Sequence, residues 1–493
     1  MLRLPEHFSL KHFFARLGVC VAVLSPPALA QPVEPVAPGP AGAVEIWAER
    51  GSGVTSAWLG NGVLVHHKLL KPEAAPADAA PDARRREVAR IAVCVTLAGA
   101  ELLETPENRG VSDAAVAASW NARSVRSISA EALRASLETA GILLRAYAGG
   151  DSFVLTASTS SGEIEPAMRA VQLLLSEPVV DAGELARWKE RTIAALDERQ
   201  QQGNDALEKV IAAMFGPQEA RARRASREAI EALTPERAQA WLDTAVGVAP
   251  GSSAMPLEVA IVGDIPLAQA IEMAEKYFAH LPARTRIADT TLADRRAAVR
   301  ADRPPEILTL PTWTGTPLVL VGFFGADIRD IADHRALTTA AKLLNDRLNR
   351  LPPEQQDADQ SFAMAMPASV YPGFGLFLAS TRAKEGNDIA AAENIRKLLD
   401  DLMTAGPSPE ELSKASQELS DSAAKATSDP LYWARTLSRS SYHGFRISEI
   451  PRAPAAYRDM PADAIKAALR KYWTPERSIK LIVRPATDLP AQR

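Results

Sequence analysis

Site chemistry needs His, Cys, Ser, Lys, Asp or Glu side chains at spacings that let them converge. The chain has seven histidines. His7 and His12 lie in the N-terminal 30 residues, which leaves His66, His67, His280, His334 and His443. No two of these five have the i,i+3 or i,i+4 spacing that sets two imidazoles on one helix face for a metal ion. His66 and His67 end a strand-like run, so their rings point to opposite faces. All five are read as surface or strand-end histidines. There is no Gly-x-Ser-x-Gly elbow, phosphate loop or dinucleotide fingerprint. Ser127, Ser129 and the run Ser438-Arg-Ser-Ser441 have no nearby partner in sequence and are read as capping or loop serines. Cys94 lies inside the apolar run Ile91–Leu97 and reads as a buried, inert thiol.

The remaining bounds are those of an ordinary globular protein. The 493 residues are 47% hydrophobic and 24% charged, with a net charge of -4; this is enough for two to four domains and a sizeable core. No Lys/Arg run argues for nucleic acid, and Arg84-Arg-Arg86 reads as a solvated cluster in a Pro/Ala/Asp-rich loop. The N-terminus reads as an export signal. Lys11 and Arg16 precede the apolar run Leu17–Leu24, and Ala28-Leu29-Ala30 is a small-x-small cleavage pattern, so the expected cut follows Ala30. The apolar run is too short to span a bilayer, and no other segment is long and apolar enough to be transmembrane.

Residues 31–43 form a Pro/Gly/Ala-rich linker. Asn61-Gly62 predicts a turn feeding the strand to Val65. The strand Ile91–Leu97 precedes a helical stretch, Asn108–Arg123, whose sequence is NRGVSDAAVAASWNAR. Taken alone, this stretch is a buried helix with one acid, Asp113. A second helix follows Ser129 and stops at Gly141. Two strands, Ile142–Ala148 and Phe153–Ser158, lead to helices from Ile164, from Asp181/Glu184 and from Thr234-Pro235. The strand Leu257–Gly263 and the helix Leu267–Leu281 close this half. Residues 286–305 read as a linker. The second half repeats the ending of the first: a helix opens at Met460-Pro-Ala-Asp463, and the strand Ser478–Val483 matches Leu257–Val262. The offset of roughly 220 residues indicates a duplicated domain. The expected fold class is α+β, two homologous domains at about 44–285 and 306–485, each an antiparallel sheet covered by helices.

In order and spacing, several segments resemble peptidase family M16, the insulinase, pitrilysin and mitochondrial-processing-peptidase group. They are Leu59-Gly-Asn-Gly-Val-Leu-Val65, Leu97-Ala-Gly99, Val262-Gly263-Asp264, Lys276-Tyr277-Phe278, Tyr371-Pro-Gly-Phe-Gly375 and Asp429-Pro430-Leu-Tyr-Trp433. The resemblance covers roughly residues 44–485. It is nearest the C-terminal half of the long periplasmic members, whose third domain commonly lacks the metal motif. It implies two LuxS/MPP-like domains forming a clamshell around extended peptides. In active members an inverted His-x-x-Glu-His motif, three residues after a Gly, binds Zn²⁺ with a distal acid. Here the Gly is Gly110, and the motif positions fall on Asp113, Val116 and Ala117. Asp197 or Glu198 stands near the distal-acid position. Active members also hold the substrate carbonyl with an Arg and a Tyr; those positions correspond to Arg347 or Arg350 and to Phe362.

The resemblance therefore implies no zinc, no catalytic residue, and an exported partner or peptide-binding subunit of an active M16 paralogue. The alternatives are a structural or assembly protein of the same fold, and a metallopeptidase with an unrecognised metal site.

Overall fold

The computed structural model describes residues 43–71, 91–201, 225–249, 254–284, 286, 307–310, 316–351, 357–368 and 375–485. The signal segment and its Ala30 cut, the 31–42 linker, Arg84–Arg86, most of the 286–305 linker and Tyr371–Phe374 lie outside these residues.

The first half places β1 (Ala43–Glu49), β2 (Val54–Leu59), β3 (Leu64–Leu69), β4 (Ile91–Ala98), β5 (Leu143–Ala148), β6 (Ser152–Thr159) and β7 (Leu257–Gly263) in one sheet, ordered β1-β2-β3-β7-β4-β6-β5. The β2–β3 turn forms as expected, with Gly62 at φ 85°, a left-handed conformation that suits glycine. The helices between these strands are α1 (Val111–Ala115), α2 (Ala130–Thr139), α3 (Ile164–Ser176), α4 (Ala182–Gln201), α5 (Arg227–Ala232), α6 (Pro235–Val246) and α7 (Leu267–Phe278). Strand residues alternate between a helix-covered core and the opposite face. Leu144, Ala146, Leu155, Val93 and Val259 join the core with Trp120, Leu174 and Phe278. Ser129 and Thr234 cap α2 and α6 by accepting from Ala132 and Arg237 backbone N–H, as read from sequence.

The second half contains β8 (Ile307–Leu310), β9 (Leu318–Gly325), α8 (Ile331–Leu348), β10 (Asp357–Met366), β11 (Gly375–Arg382), α9 (Asp388–Thr404), α10 (Pro409–Thr427), α11 (Pro430–Leu437), α12 (Ser440–His443), α13 (Ala453–Arg458), α14 (Ala462–Tyr472) and β12 (Ser478–Pro485). Its sheet order is β10-β11-β9-β12-β8. Reversed, this is the β3-β7-β4-β6-β5 portion of the first sheet, strand for strand. Each portion contains one parallel pair, β3 with β7 and β8 with β12. The sheets are therefore mixed, not purely antiparallel as expected. β7 and β12 return to the sheet interior after a long crossover, and such a connection allows parallel pairing. The β1–β2 hairpin extends the first sheet only.

The halves meet along a filled seam. Ala92, Cys94, Ala260 and Val262, on the sheet face away from the first core, pack against Trp433, Leu437, Phe445 and Tyr457 of the second half. Among the described residues, this seam is filled by packed side chains. The apolar face of a central sheet must be covered, and α11 covers it.

Candidate functional site

The segment at the family motif positions is built from Glu104 onward. Gly99 (φ 122°) turns the chain out of β4. A short 3-10 turn then delivers the buried Glu104 carboxylate to the start of α1. It accepts from Gly110 N at 3.0 Å, Ser112 N at 2.9 Å, Ser112 Oγ at 2.5 Å and Arg109 Nη1 at 3.1 Å. A carboxylate there satisfies helix-end amides that have no partner within the helix. The expected continuous helix from Asn108 is instead a five-residue α1 followed by a π segment, Val116–Trp120. Its N–H groups reach five residues back: Asn121 to Val116 O at 2.9 Å and Ser124 to Ser119 O at 3.0 Å. This widening brings Asn121 and Arg123 alongside β5.

The motif positions point in different directions. Asp113 is exposed, Val116 is buried in the first core, and Ala117 lines a cleft of about 240 Å³ with Asn121, Ala122, Arg134, Glu184 and Arg191. Of the distal-acid candidates, Asp197 pairs with Arg227 and Glu198 is exposed. The acid that reaches the cleft is Glu184, which pairs with Arg187 at 2.8 Å. That hydrogen bond, with Arg134 and Arg191 nearby, holds the Glu184 carboxyl below the usual carboxylate range. One compensated carboxylate beside an alanine and a core valine offers no tetrahedral N/O set, so the residues present do not fit a family-type zinc ion. Among the described residues, no three His, Cys, Asp or Glu side chains converge for a metal.

The carbonyl-holding positions are also taken up by structure. Arg347 forks onto Glu411 at 3.0 and 2.8 Å and donates to Gly406 O at 3.2 Å, and Arg350 reaches the same carboxylate at 3.4 Å. Glu411 is the reciprocal capping residue of α10 with Ser408. Its pKa is drawn down to about 2, first by the Arg347 hydrogen bond. Phe362 is buried in β10, opposite Ser380 of β11.

The histidines correct the reading from sequence. His66, His67, His334 and His443 are buried. His66 and His67 do face opposite ways: His66 toward Ser440 across the seam, His67 onto Ile265 O at 2.9 Å. Ser438 and Ser440 are seam residues, not loop serines. Ser438 Oγ lies 2.8 Å from Thr96 Oγ1 and donates to Cys94 Sγ at 3.2 Å. His443 Nε2 meets Asp151 Oδ2 at 2.9 Å, and Tyr442 N donates to Glu258 Oε1 at 2.7 Å. Ser440, His66 and Glu258 contain the residue types of a hydrolytic triad but not its relay. Ser440 and Glu258 approach the same nitrogen, Nε2, at 3.4 and 3.8 Å, while Nδ1 bonds Ser56. All three are 1% exposed, so the set is a buried polar joint closed to substrate.

Sequence reading missed Glu104, Asn121, Arg123 and the cleft. Only Glu104 had a signal, an acid a few residues before a glycine-started helix. The other contacts join segments distant in the chain.

Residues 253–419 match the family model described as peptidase M16 inactive domain. No curated protein matches the chain. Among solved structures, a peptidase M16 inactive domain from Pseudomonas fluorescens superposes with a TM-score of 0.69 at 16% identity, covering 89% of this chain and 99% of that one. The periplasmic protease PqqL from Escherichia coli gives a TM-score of 0.72 at 14% identity, covering 97% of this chain and 50% of that one. The ferredoxin protease FusC, in complex with Arabidopsis ferredoxin, gives 0.66 at 12% identity, covering 94% and 49%. This chain thus spans about half the length of the last two. Among the described residues, no helix is long and apolar enough to cross a membrane. Residues 253–419 thus match the peptidase M16 inactive domain, and the chain as a whole has the two-domain α+β fold of the M16 structures on which it superposes.

Proposed function

We propose that the protein is an exported, non-catalytic M16 homologue that forms one half of a peptide-enclosing clamshell, the other half being a second M16 chain with an intact metal motif. The observation that carries this reading is the trio Asp113, Val116 and Ala117 in place of two imidazoles and a general base. Without them no zinc is held and no water is activated. The filled seam supports a second chain, because the enclosure then lies between this whole chain and a partner instead of between its own halves. PqqL and FusC are each about twice as long as the part this chain matches, which supports an enclosure made of two such lengths. The signal-like N-terminus supports export.

The test is purification from the native exported fraction, with metal analysis, peptide hydrolysis and identification of co-purifying chains. The expected result is a mature N-terminus at Gln31, no stoichiometric zinc, no hydrolysis by the isolated chain, and recovery with an M16 paralogue over an interface of more than about 1,000 Å². About one tightly held zinc per chain would overturn the non-catalytic reading. Recovery only as a lone monomer would overturn the partner-subunit reading and favour a structural protein.

A further inference from the structure

The cleft at Ala117 carries the wrong sign of charge for a metal ion. Its wall is formed by Ala117 of the π segment, Asn121 and Ala122 just after it, Arg134 of α2, and Glu184 and Arg191 of α4. Glu184 is the one acid among the described residues of that wall, and Arg187 holds both of its oxygens. Arg187 Nη2 meets Oε1 at 2.8 Å, and Nε donates to Oε2 at 3.2 Å. Asp181 and Glu190 act on the same arginine. Arg134 and Arg191 make no hydrogen bond or ion pair with another described residue. Arg123 adds a further guanidinium, close enough to Arg134 for the two to repel. Its own N–H groups go to Trp120 O and Leu144 O. The positive excess at the cleft therefore rests on Arg134, Arg191 and nearby Arg123, an arrangement that repels a divalent cation and attracts an anion.

We propose that this cleft is an oxyanion site, in which Arg134 and Arg191 hold a doubly charged tetrahedral anion, either inorganic phosphate or the phosphate group of a small soluble ester. The two arginines come from different helices. A tetrahedral dianion has oxygens and charge for both guanidinium forks, whereas the two coplanar oxygens of a carboxylate match only one. Asn121 Nδ2 gives one N–H to Ala146 O at 2.9 Å, and a primary amide has a second to offer. A water occupies about 30 Å³, so a cleft of about 240 Å³ has room for a phosphate group and several waters. Arg134, Arg191 and Asn121 are exposed, so an ester can enter with its remainder in solvent. Exposure also screens the attraction and keeps the affinity modest. The proposal rests on the same lack of a zinc-type ligand set as the non-catalytic reading, but the two fail separately. Zinc retained by the purified chain sinks that reading, and missing phosphate binding sinks this one alone.

The experiment titrates the full mature chain by calorimetry with sodium phosphate, glycerol 3-phosphate and sodium acetate at low ionic strength. One saturable phosphate site with a Kd of about 1 mM is expected, weakening as salt is added. Acetate should bind at least about tenfold more weakly. Tighter binding of glycerol 3-phosphate than of phosphate would assign the ligand as a phosphorylated small molecule; equal or weaker binding would assign the free ion. Arg134→Gln and Arg191→Gln should each weaken phosphate binding about tenfold. Arg470→Gln, the same change in net charge on α14 of the second half, should leave it unaltered. Both cleft arginines are exposed, so their variants should melt with the wild type in the absence of phosphate. Phosphate should raise the Tm of the wild type and not that of the Arg134→Gln/Arg191→Gln double variant. No saturable phosphate binding by the wild type, acetate binding as tightly as phosphate, or the same loss in Arg470→Gln as in the cleft variants would each overturn the proposal.

Discussion

The two halves share a five-strand topology but differ in the helix that follows the second strand of each set. In the first half this element is a five-residue α1 continued as a π segment; in the second it is α8, an unbroken 18-residue helix. The positions that the resemblance aligns with the zinc motif fall on the broken one. The Glu104 cap, the left-handed Gly110 and the widened turn are found there, where Val116 and Ala117 carry no group that could bind a metal or move a proton and the Asp113 carboxylate is exposed. A fold and a site are separable in this way: backbone geometry is held by many packing contacts, whereas chemistry depends on a few side chains.

This contrast can be broken experimentally, most strongly at Glu104. Glu104→Ala strands the buried Arg109 and the α1 amides, and should destabilise the first half by about 3–5 kcal/mol. In urea denaturation followed by site-specific probes, the first half should unfold ahead of the second. The helix in the second half has no side-chain cap at Asp330, so Asp330→Ala should change little.

A second difference is near the helix start, where Asp113 is exposed and His334 is buried with no hydrogen-bond partner for Nε2 among the described residues. Burial, aided by Arg335, pushes the His334 imidazole down to about 4. The unfolded state takes up a proton near pH 6.5 that the folded state refuses until about pH 4. Stability is therefore lost as pH falls through that window, by up to about 3 kcal/mol. His334→Leu should flatten the dependence of the urea midpoint between pH 6.5 and 4. An unchanged slope would assign the acid sensitivity to other groups.

The smallest effect is expected at Asn345. Asn345→Ala removes one bond to the β10 edge and should cost about 1 kcal/mol, read as faster hydrogen exchange at Ala363. At β5, Asn121 and Arg123 make three bonds instead of one, so the edge in the second half should be the looser of the two.

Much of this architecture could be read from sequence. Caps at Ser129, Thr234 and Ser408, the Asn61-Gly62 turn and the repeated helix–strand ending all depend on local preferences or on a period visible in one chain. β10 could not be read this way. Its sequence, Asp-Ala-Asp-Gln-Ser-Phe-Ala-Met-Ala-Met, has little strand propensity, and it is a strand because β11 supplies the pairing.

The lack of a ligand or base at 116 and 117 was determined by the sequence alone, since no packing makes a base of valine or a ligand of alanine. The tertiary structure alone decided what the remaining side chains do. It turned Arg347 into a partner of Glu411, buried His66, His443, Ser438 and Ser440 in the seam, and set Asn121 against the edge of β5. Each of these contacts joins residues tens to hundreds of positions apart, and their energy depends on distance in space, which no local pattern along the chain encodes.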